Sequence, residues 1–112
     1  MKEKITVVGT GYVGLTLGVC FASLGYCVTC VDKDEEKINK LKKGISPIFE
    51  PGIENILKKH KKNISFTTDI ENSFQNNEII FIAVGTPPKK NGNINLTFFW
   101  EVAKELKKIL RY

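Results

Sequence analysis

The chain has 112 residues, of which 42% are hydrophobic and 26% charged, and its formal net charge is +5 at pH 7. This length suits one domain, which we place at residues 1–112, and the composition is that of an ordinary globular protein. No apolar run approaches the roughly 20 residues of a membrane span and the stretch Met1 to Ile5 lacks the features of a signal peptide, so we expect a cytoplasmic protein with no membrane partner.

Short apolar runs alternate with longer helical patterns along the chain. The predicted strands are Ile5 to Val8, Cys27 to Val31, Ile64 to Thr67 and Ile79 to Val84. The predicted helices are Val13 to Leu24, Asp34 to Lys43, Ile53 to Lys59, a short helix from Asp69 to Phe74, and a last helix that Asn95 or Thr97 caps and that runs to about Leu110. Strands that alternate with helices in this way indicate a parallel α/β sheet.

The predicted sheet has helices on both faces. Ile79 to Val84 is apolar throughout, which is typical of a parallel strand covered on both sides. We predict the strand order 3-2-1-4, which corresponds to one mononucleotide-binding half of a doubly wound sheet plus a fourth strand. A second half would normally begin where this chain ends, and we therefore expect a truncated domain.

A glycine-rich string joins the first strand to the first helix. Gly9-Thr10-Gly11-Tyr12-Val13-Gly14 has the spacing G-x-G-x-x-G in the strand-turn-helix context that gives this motif its meaning. Gly9 would allow a tight turn, Gly11 would let a pyrophosphate approach the backbone, and Gly14 would let the helix pack closely on the sheet. The helix N-terminus offers free N–H groups to the phosphates. The string predicts a Rossmann-type dinucleotide site.

An acidic residue at the end of the second strand supports this interpretation. Asp32 lies 18 residues after Gly14, close to the usual spacing of about 20. Its carboxylate can accept hydrogen bonds from the adenosine ribose and would repel a 2′-phosphate, so it favours NAD over NADP. The structural alternative is a residue that merely ends a strand or caps the next helix.

The fourth strand is followed by a second candidate contact. Gly85-Thr86-Pro87 leaves the carboxyl end of that strand beside the first strand, at the switch point where ligands bind in such sheets. Gly85 would allow close backbone approach and Thr86 would supply a hydroxyl. The alternative is a loop that simply leaves a strand before proline.

The lysines and cysteines suggest no further site. Lys58-Lys59-His60-Lys61-Lys62 lies at a predicted helix end and Arg111 is the one arginine, so we interpret the run as a solvated helix end and expect no nucleic-acid partner. Cys20, Cys27 and Cys30 are odd in number, and the pair in the second strand should point to opposite faces, so we expect three core thiols without a disulfide. His60 stands alone among lysines, which argues against a metal site.

These motifs together resemble a known family. The glycine string, Val31-Asp32, the segment from Gly44 to Gly52 with its Ser46-Pro47-Ile48-Phe49-Glu50-Pro51-Gly52, and the segment from Phe81 to Pro88 follow one another in the order of the N-terminal domain of the UDP-glucose/GDP-mannose dehydrogenase family. The resemblance covers essentially the whole chain. The Glu50-Pro51-Gly52 loop is its most specific part, and it is most similar to the loop of the UDP-glucose 6-dehydrogenases in that family.

The resemblance implies NAD as the cofactor. Val13, Asp32 and Thr86 match the family's NAD-contacting positions, and Lys37 matches a basic position near the adenosine end, although an exposed helical lysine is the alternative. The predicted cofactor site consists of these four residues and six more from the two turns, namely Gly9, Gly11, Tyr12, Gly14, Gly85 and Pro87. The implied reaction is a two-step oxidation of a sugar C6 alcohol to a carboxylate, and full-length relatives are commonly homo-oligomers.

Two departures from the family pattern are visible. Asn95 stands where the family usually has an aspartate, which a helix start should tolerate. The family's nucleophilic cysteine, catalytic lysine and sugar-binding domain have no counterpart here, and none of the three cysteines matches the nucleophile. We therefore expect no catalytic residue and no activity in this chain alone, and contact with a nucleotide sugar only in a full-length enzyme. The alternatives are a stand-alone NAD-binding module, a part of a related UDP-N-acetylmannosamine or GDP-mannose dehydrogenase and, most weakly, a basic nucleic-acid binder.

Overall fold

The structure is a computed structural model that describes residues 3–75 and 77–110. The predictions that concern Met1 and Arg111 lie outside the described residues.

Within the described residues, nine elements follow one another in the predicted order, with bounds that either agree with the prediction or differ from it by one or two residues. The strands are β1 Lys4–Val8, β2 Cys27–Val31, β3 Ile64–Thr67 and β4 Ile79–Ile82, and the helices are α1 Tyr12–Ser23, α2 Glu35–Lys42, α3 Ile53–Lys59, α4 Ile70–Ser73 and α5 Thr97–Ile109. The predicted stop of α1 is confirmed, since Gly25 follows the helix at φ 96°, in the left-handed region that glycine favours.

The four strands form one parallel sheet in the order β3-β2-β1-β4, as predicted. Val8, the last residue of β1, pairs with Val31 on one side and with Ile82 on the other. The carboxyl ends of β1, β2 and β4 therefore meet at one edge of the sheet, and the turns that follow these strands lie side by side.

Two hydrophobic clusters cover the two faces of the sheet, which confirms the predicted layers. Alternate residues of β1 divide between them: Ile5 and Val7 pack in the larger cluster, which holds buried residues of α1, α2 and α3, whereas Val8 packs with Phe74, Phe98 and Val102 on the side of α5. The period of two along β1 is the expected pattern for a strand between two layers.

The β4 strand is less covered than its sequence suggests. Ile79 is 40% exposed and Ile82 is 41% exposed, so the expectation that both faces of this strand are buried is wrong for the described residues. The reason is its place in the sheet, because β4 pairs with β1 on one side and forms the edge on the other.

The cysteines differ from expectation in burial. Cys30 is buried, but Cys20 and Cys27 are exposed, so the prediction of three core thiols is wrong for two of them. Cys27 is the first residue of β2 and is paired with exposed Lys4 at the sheet end, while Cys20 lies on an outer position of α1. All three are free thiols, as predicted. Burial raises the pKa of the Cys30 thiol to about 12.

Within the described residues, none of the helices combines the length and apolar character needed to cross a membrane.

Candidate functional site

The turn after β1 brings three backbones close together. Gly9 has φ 106°, and a Cβ there would collide with the carbonyl oxygen of Ala83 beside β4. A Cβ at Gly14 would collide with the carbonyl oxygen of Gly9. Position 9 therefore requires glycine for two reasons, the positive φ angle and the lack of room for a Cβ. Position 14 requires glycine because α1 lies close against the backbone of the turn.

The start of α1 is open to an incoming group. Gly11 is the N-cap residue, and no side chain of the described residues caps this end. The first helical hydrogen bond runs from the Leu15 N–H to the Gly11 carbonyl at 3.0 Å, which leaves the N–H groups of the first turn without helical acceptors. A Cβ at Gly11 would meet no atom within 4 Å. Free N–H groups, the positive end of a helix dipole and open space form an anion-binding arrangement.

Asp32 joins the turn after β2 to the glycine turn. Its Oδ2 accepts hydrogen bonds from the Thr10 N–H at 2.9 Å and the Thr10 hydroxyl at 2.6 Å. Its Oδ1 accepts one from the Asp34 N–H at 3.1 Å. The structural alternative is therefore partly right, since Asp32 does organise its own turn. The cap of α2, however, is Asp34, which accepts from the Lys37 N–H.

The surroundings of Asp32 favour its ionised form. Burial disfavours the charge, but hydrogen bonds from the Thr10 side chain, the Asp34 backbone and the Thr10 backbone, together with the charge of Lys37, outweigh it and hold the pKa of Asp32 below its ordinary value. Asp32 is therefore a carboxylate at neutral pH, with negative charge at the rim of the glycine turn.

A cavity of about 440 Å³ lies where these turns meet. The predicted site residues that line it are Gly9, Gly11, Tyr12, Val13, Asp32, Lys37, Gly85 and Pro87. Two predicted residues do not line it: Gly14 is buried beneath the turn, and Thr86 is exposed and lies outside the lining. The structure thus brings the two predicted turns and Asp32 together around one space.

Sequence reasoning missed several residues of the lining. They are Thr10, Lys33, Asp34, Ala83, Val84, Asn95, Thr97 and Phe98. The Lys33 ammonium lies 4.9 Å from the centre of the Phe98 ring, so the start of α5 touches the turn after β2. The only signal for Thr10 was its place inside the glycine string. No local signal marks Phe98, because α5 reaches the site through its packing against Val8 of β1, on the face of the sheet that α5 covers.

The segment between β4 and α5 is closed by backbone hydrogen bonds. The Asn95 N–H donates to the Pro87 carbonyl at 2.7 Å, and Pro88 forms an antiparallel bridge with Ile94. Neither predicted cap occupies the N-cap position of α5, which is Leu96. The Asn95 side chain nevertheless accepts a hydrogen bond from the N–H of Thr97, the first residue of α5, at 3.0 Å. Asparagine can therefore bind the first N–H of the helix from this position, where the family usually has an aspartate.

In the described part of the chain, no cluster of histidine, cysteine and acidic residues could hold a metal ion.

The parallel order β3-β2-β1-β4, the glycine turn at the open start of α1 and the carboxylate after β2 define a dinucleotide-binding Rossmann domain. The chain belongs to the UDP-glucose/GDP-mannose dehydrogenase family, whose NAD-binding domain matches residues 3–112. NAD is the cofactor of this domain, as the sequence predicted.

Curated relatives agree with the family. The chain is 48% identical over 107 residues to UDP-glucose 6-dehydrogenase YwqF of Bacillus subtilis, a match that covers 94% of the chain and 24% of the relative. It is 45% identical over 106 residues to the UDP-glucose 6-dehydrogenase of Rhizobium meliloti, covering 92% of the chain and 24% of that relative. The chain thus spans about a quarter of the length of these enzymes.

Solved structures agree on the fold. The GDP-mannose dehydrogenase of Pseudomonas aeruginosa, in a ternary complex, superposes with a TM-score of 0.84 at 38% identity over 91% of the chain and 24% of that enzyme. The UDP-glucose dehydrogenase of Pyrobaculum islandicum gives a TM-score of 0.85 at 32% identity over 95% of the chain and 25% of that enzyme.

Proposed function

We propose that this chain is the NAD-binding portion of a UDP-glucose 6-dehydrogenase, an enzyme that oxidises UDP-glucose to UDP-glucuronate in two NAD-dependent steps. The observation that carries the proposal is the convergence of the glycine turn, Asp32 and the turn after β4 on one cavity. When bound, NAD supplies the hydride acceptor for the oxidation. The chain's own residues bind it, orient it and select it against NADP.

Each part of the cavity has a proposed role. Gly9, Gly11 and the N–H groups of Tyr12, Val13 and Gly14 hold the pyrophosphate at the start of α1, where Gly11 leaves open space. Gly14 acts through packing. Gly85 and Pro87, which line the cavity after β4, contact the cofactor on the side of the topological switch point. Thr86 is proposed as a contact from the family resemblance alone, since it lies outside the lining.

The adenosine end of NAD is assigned to the turn after β2. The Asp32 carboxylate accepts from a ribose hydroxyl, and its charge repels a 2′-phosphate. Lys37 lines the same part of the cavity and lies near enough for its charge to lower the Asp32 pKa. Lys37 therefore contributes a positive potential at the adenosine end.

The sugar substrate is proposed from the relatives. Several relatives named as UDP-glucose 6-dehydrogenases are 44–48% identical to the chain. A related GDP-mannose or UDP-N-acetylmannosamine dehydrogenase is the second candidate, because a GDP-mannose dehydrogenase has nearly the same TM-score as a UDP-glucose dehydrogenase. We further propose that the enzyme is cytoplasmic and homo-oligomeric and that it has no nucleic-acid or membrane partner.

Catalysis needs groups beyond this cavity. None of its lining residues is a cysteine, and the nucleophile that the family resemblance implies is a thiol. We therefore expect the 112-residue chain alone to bind NAD without oxidising a nucleotide sugar. Formation of NADH from UDP-glucose by the purified chain, at the 1–1000 per second typical of enzymes, would reject this assignment.

A chimera tests whether this chain can serve as the NAD-binding portion of such an enzyme. This chain replaces the matching residues of the Bacillus subtilis YwqF enzyme, whose own remaining residues supply the sugar-binding part, and NADH formation is measured with UDP-glucose. We expect activity with UDP-glucose. We expect Asp32→Ala in the same chimera to lower the affinity for NAD about ten- to hundredfold, because a hydrogen bond to a charged group contributes roughly 1.5–3 kcal/mol. A chimera that folds and binds NAD but is inactive with UDP-glucose would contradict the proposal.

A further inference from the structure

The contact between the chain segments of β1 and β2 continues past the end of β1. After the last strand pair, the Gly9 N–H donates to the Val31 carbonyl at 2.7 Å. The next N–H group in the chain, that of Thr10, donates at 2.9 Å to the Asp32 side chain. The carboxylate thus joins the turn after β1 to the turn after β2, and these two turns flank the cavity.

The Thr10 hydroxyl adds the shortest bond of this junction. It donates to Asp32 Oδ2 at 2.6 Å, a distance typical of a hydroxyl bound to a carboxylate. Thr10 is 0% exposed and Asp32 is 8% exposed. Because the hydroxyl is enclosed, water replaces it poorly if it is removed.

Counting acceptor positions shows what remains for a ligand. A carboxylate has about four lone-pair positions, two on each oxygen. Oδ2 accepts from both the N–H and the hydroxyl of Thr10, and Oδ1 accepts from the Asp34 N–H. One position is left, and it is on Oδ1.

We propose that Thr10 is a positioning residue for cofactor selection: its hydroxyl occupies Oδ2, so that Asp32 presents Oδ1 alone, with one acceptor position, to the adenosine ribose. The proposal rests on the assignment of the cavity to NAD. Thr10 acts through Asp32, since its side chain is 0% exposed and its hydroxyl is bound to the Asp32 carboxylate. With the hydroxyl in place the carboxylate offers one fixed acceptor, which a ribose hydroxyl can use and a 2′-phosphate cannot.

The test compares Thr10→Val with Thr10→Ser in the 112-residue chain. Valine keeps the shape but removes the hydroxyl, and serine keeps the hydroxyl. Thr6→Val is the matched control, because Thr6 is also 0% exposed and its hydroxyl donates to the Ser73 carbonyl at 2.8 Å, away from Asp32. Unfolding by urea measures the stability of all three variants.

The first readout needs no cofactor. The Asp32 pKa is measured from the carboxyl carbon signal by NMR. The charged groups that share the cavity with Asp32 are Lys33, Asp34 and Lys37, and all three are unchanged in these variants. We expect a higher Asp32 pKa in Thr10→Val, because a hydrogen bond that favours the ionised form is lost, and a value near that of the original chain in Thr10→Ser and Thr6→Val.

The second readout is the affinity for NAD and for NADP by calorimetry. We expect Thr10→Val to lower the affinity for NAD about tenfold and the affinity for NADP by less, so that the preference for NAD falls. We expect Thr10→Ser, which keeps the hydroxyl, to have the NAD preference of the original chain. If Thr10→Val loses stability as Thr6→Val does but keeps both the Asp32 pKa and the NAD preference, the hydroxyl is only structural and the proposal is overturned. If the original chain binds neither NAD nor NADP, the assignment of the cavity to NAD fails. If the original chain binds NAD but Thr10→Val leaves the Asp32 pKa and the NAD affinity unchanged, only the proposed role of Thr10 is refuted.

Discussion

The open space at Gly11 predicts that one added methyl group separates folding from cofactor binding. Gly11 has φ −78° and ψ −164°, an extended conformation that alanine adopts readily. A Cβ there would meet no atom within 4 Å, yet Gly11 lines the cavity. Gly11→Ala should therefore fold normally and bind NAD poorly.

The magnitudes follow from two opposing effects on stability. Alanine is a poorer N-cap residue than glycine, by up to about 1 kcal/mol, but it lowers the entropy of the unfolded chain, which contributes about 0.4–1 kcal/mol in the other direction. The free energy of unfolding should change by less than about 1 kcal/mol. The methyl group would hold the pyrophosphate away from the N–H groups at the start of α1, and loss of one charge-assisted hydrogen bond of roughly 1.5–3 kcal/mol should weaken NAD about ten- to hundredfold.

The assay pairs urea unfolding with calorimetric titration of NAD, and Gly14→Ala is the contrasting variant. A Cβ at Gly14 would collide with the backbone of Gly9, which cannot move aside cheaply, so this variant should lose at least about 1–3 kcal/mol of stability. If Gly11→Ala binds NAD as tightly as the original chain, the pyrophosphate does not lie against this turn and the reasoning is refuted.

Three further predictions test the fold and the electrostatics. Thiol titration without denaturant should modify Cys20 and Cys27 quickly and Cys30 only on unfolding, because Cys30 is buried with a pKa raised to about 12; three thiols of equal reactivity would contradict this placement. Gly18→Ala should cost about 1–3 kcal/mol, since its Cβ would lie 2.6 Å from the Cys30 sulfur, and Cys30→Ala in the same chain should recover part of the loss in urea unfolding; strictly additive losses would argue against this contact. The depressed pKa of Asp32 means that its ionised form stabilises the fold above the ordinary pKa of about 3.9 and that this stabilisation is lost as pH falls through the lower folded value. Stability measured from pH 5 to pH 2 should therefore fall more steeply in the original chain than in Asp32→Ala, and equal slopes would show that Asp32 is not stabilised by its partners.

The strand order and the two turns of the site could be predicted because they depend on local patterns. The spacing of Gly9, Gly11 and Gly14 after an apolar run specifies a turn into a helix, and Asp32 follows at the distance set by one helix and one strand. Alternation of strands and helices then specifies the parallel sheet.

The features that were missed depend on neighbours distant in sequence. An apolar strand such as β4 has the same composition at an edge as in the centre of a sheet, so the exposure of Ile79 and Ile82 could not be seen locally. Cysteine is usually buried, and the exposure of Cys27 follows from its place at the first pair of β2 with β1. The role of Thr10 follows from a bond to a residue 22 positions away, and the contact of Lys33 with Phe98 follows from the packing of α5.

The most direct test of the central claim is an NMR titration of the isotope-labelled chain with NAD and, in parallel, with NADP. We expect NAD to shift the amide signals of Gly9, Gly11 and Val13 and the carboxyl signal of Asp32, and we expect NADP to produce the same shifts only at a much higher concentration. Signals that move first in another part of the chain, or equal affinity for the two cofactors, would contradict the assignment of this cavity to NAD.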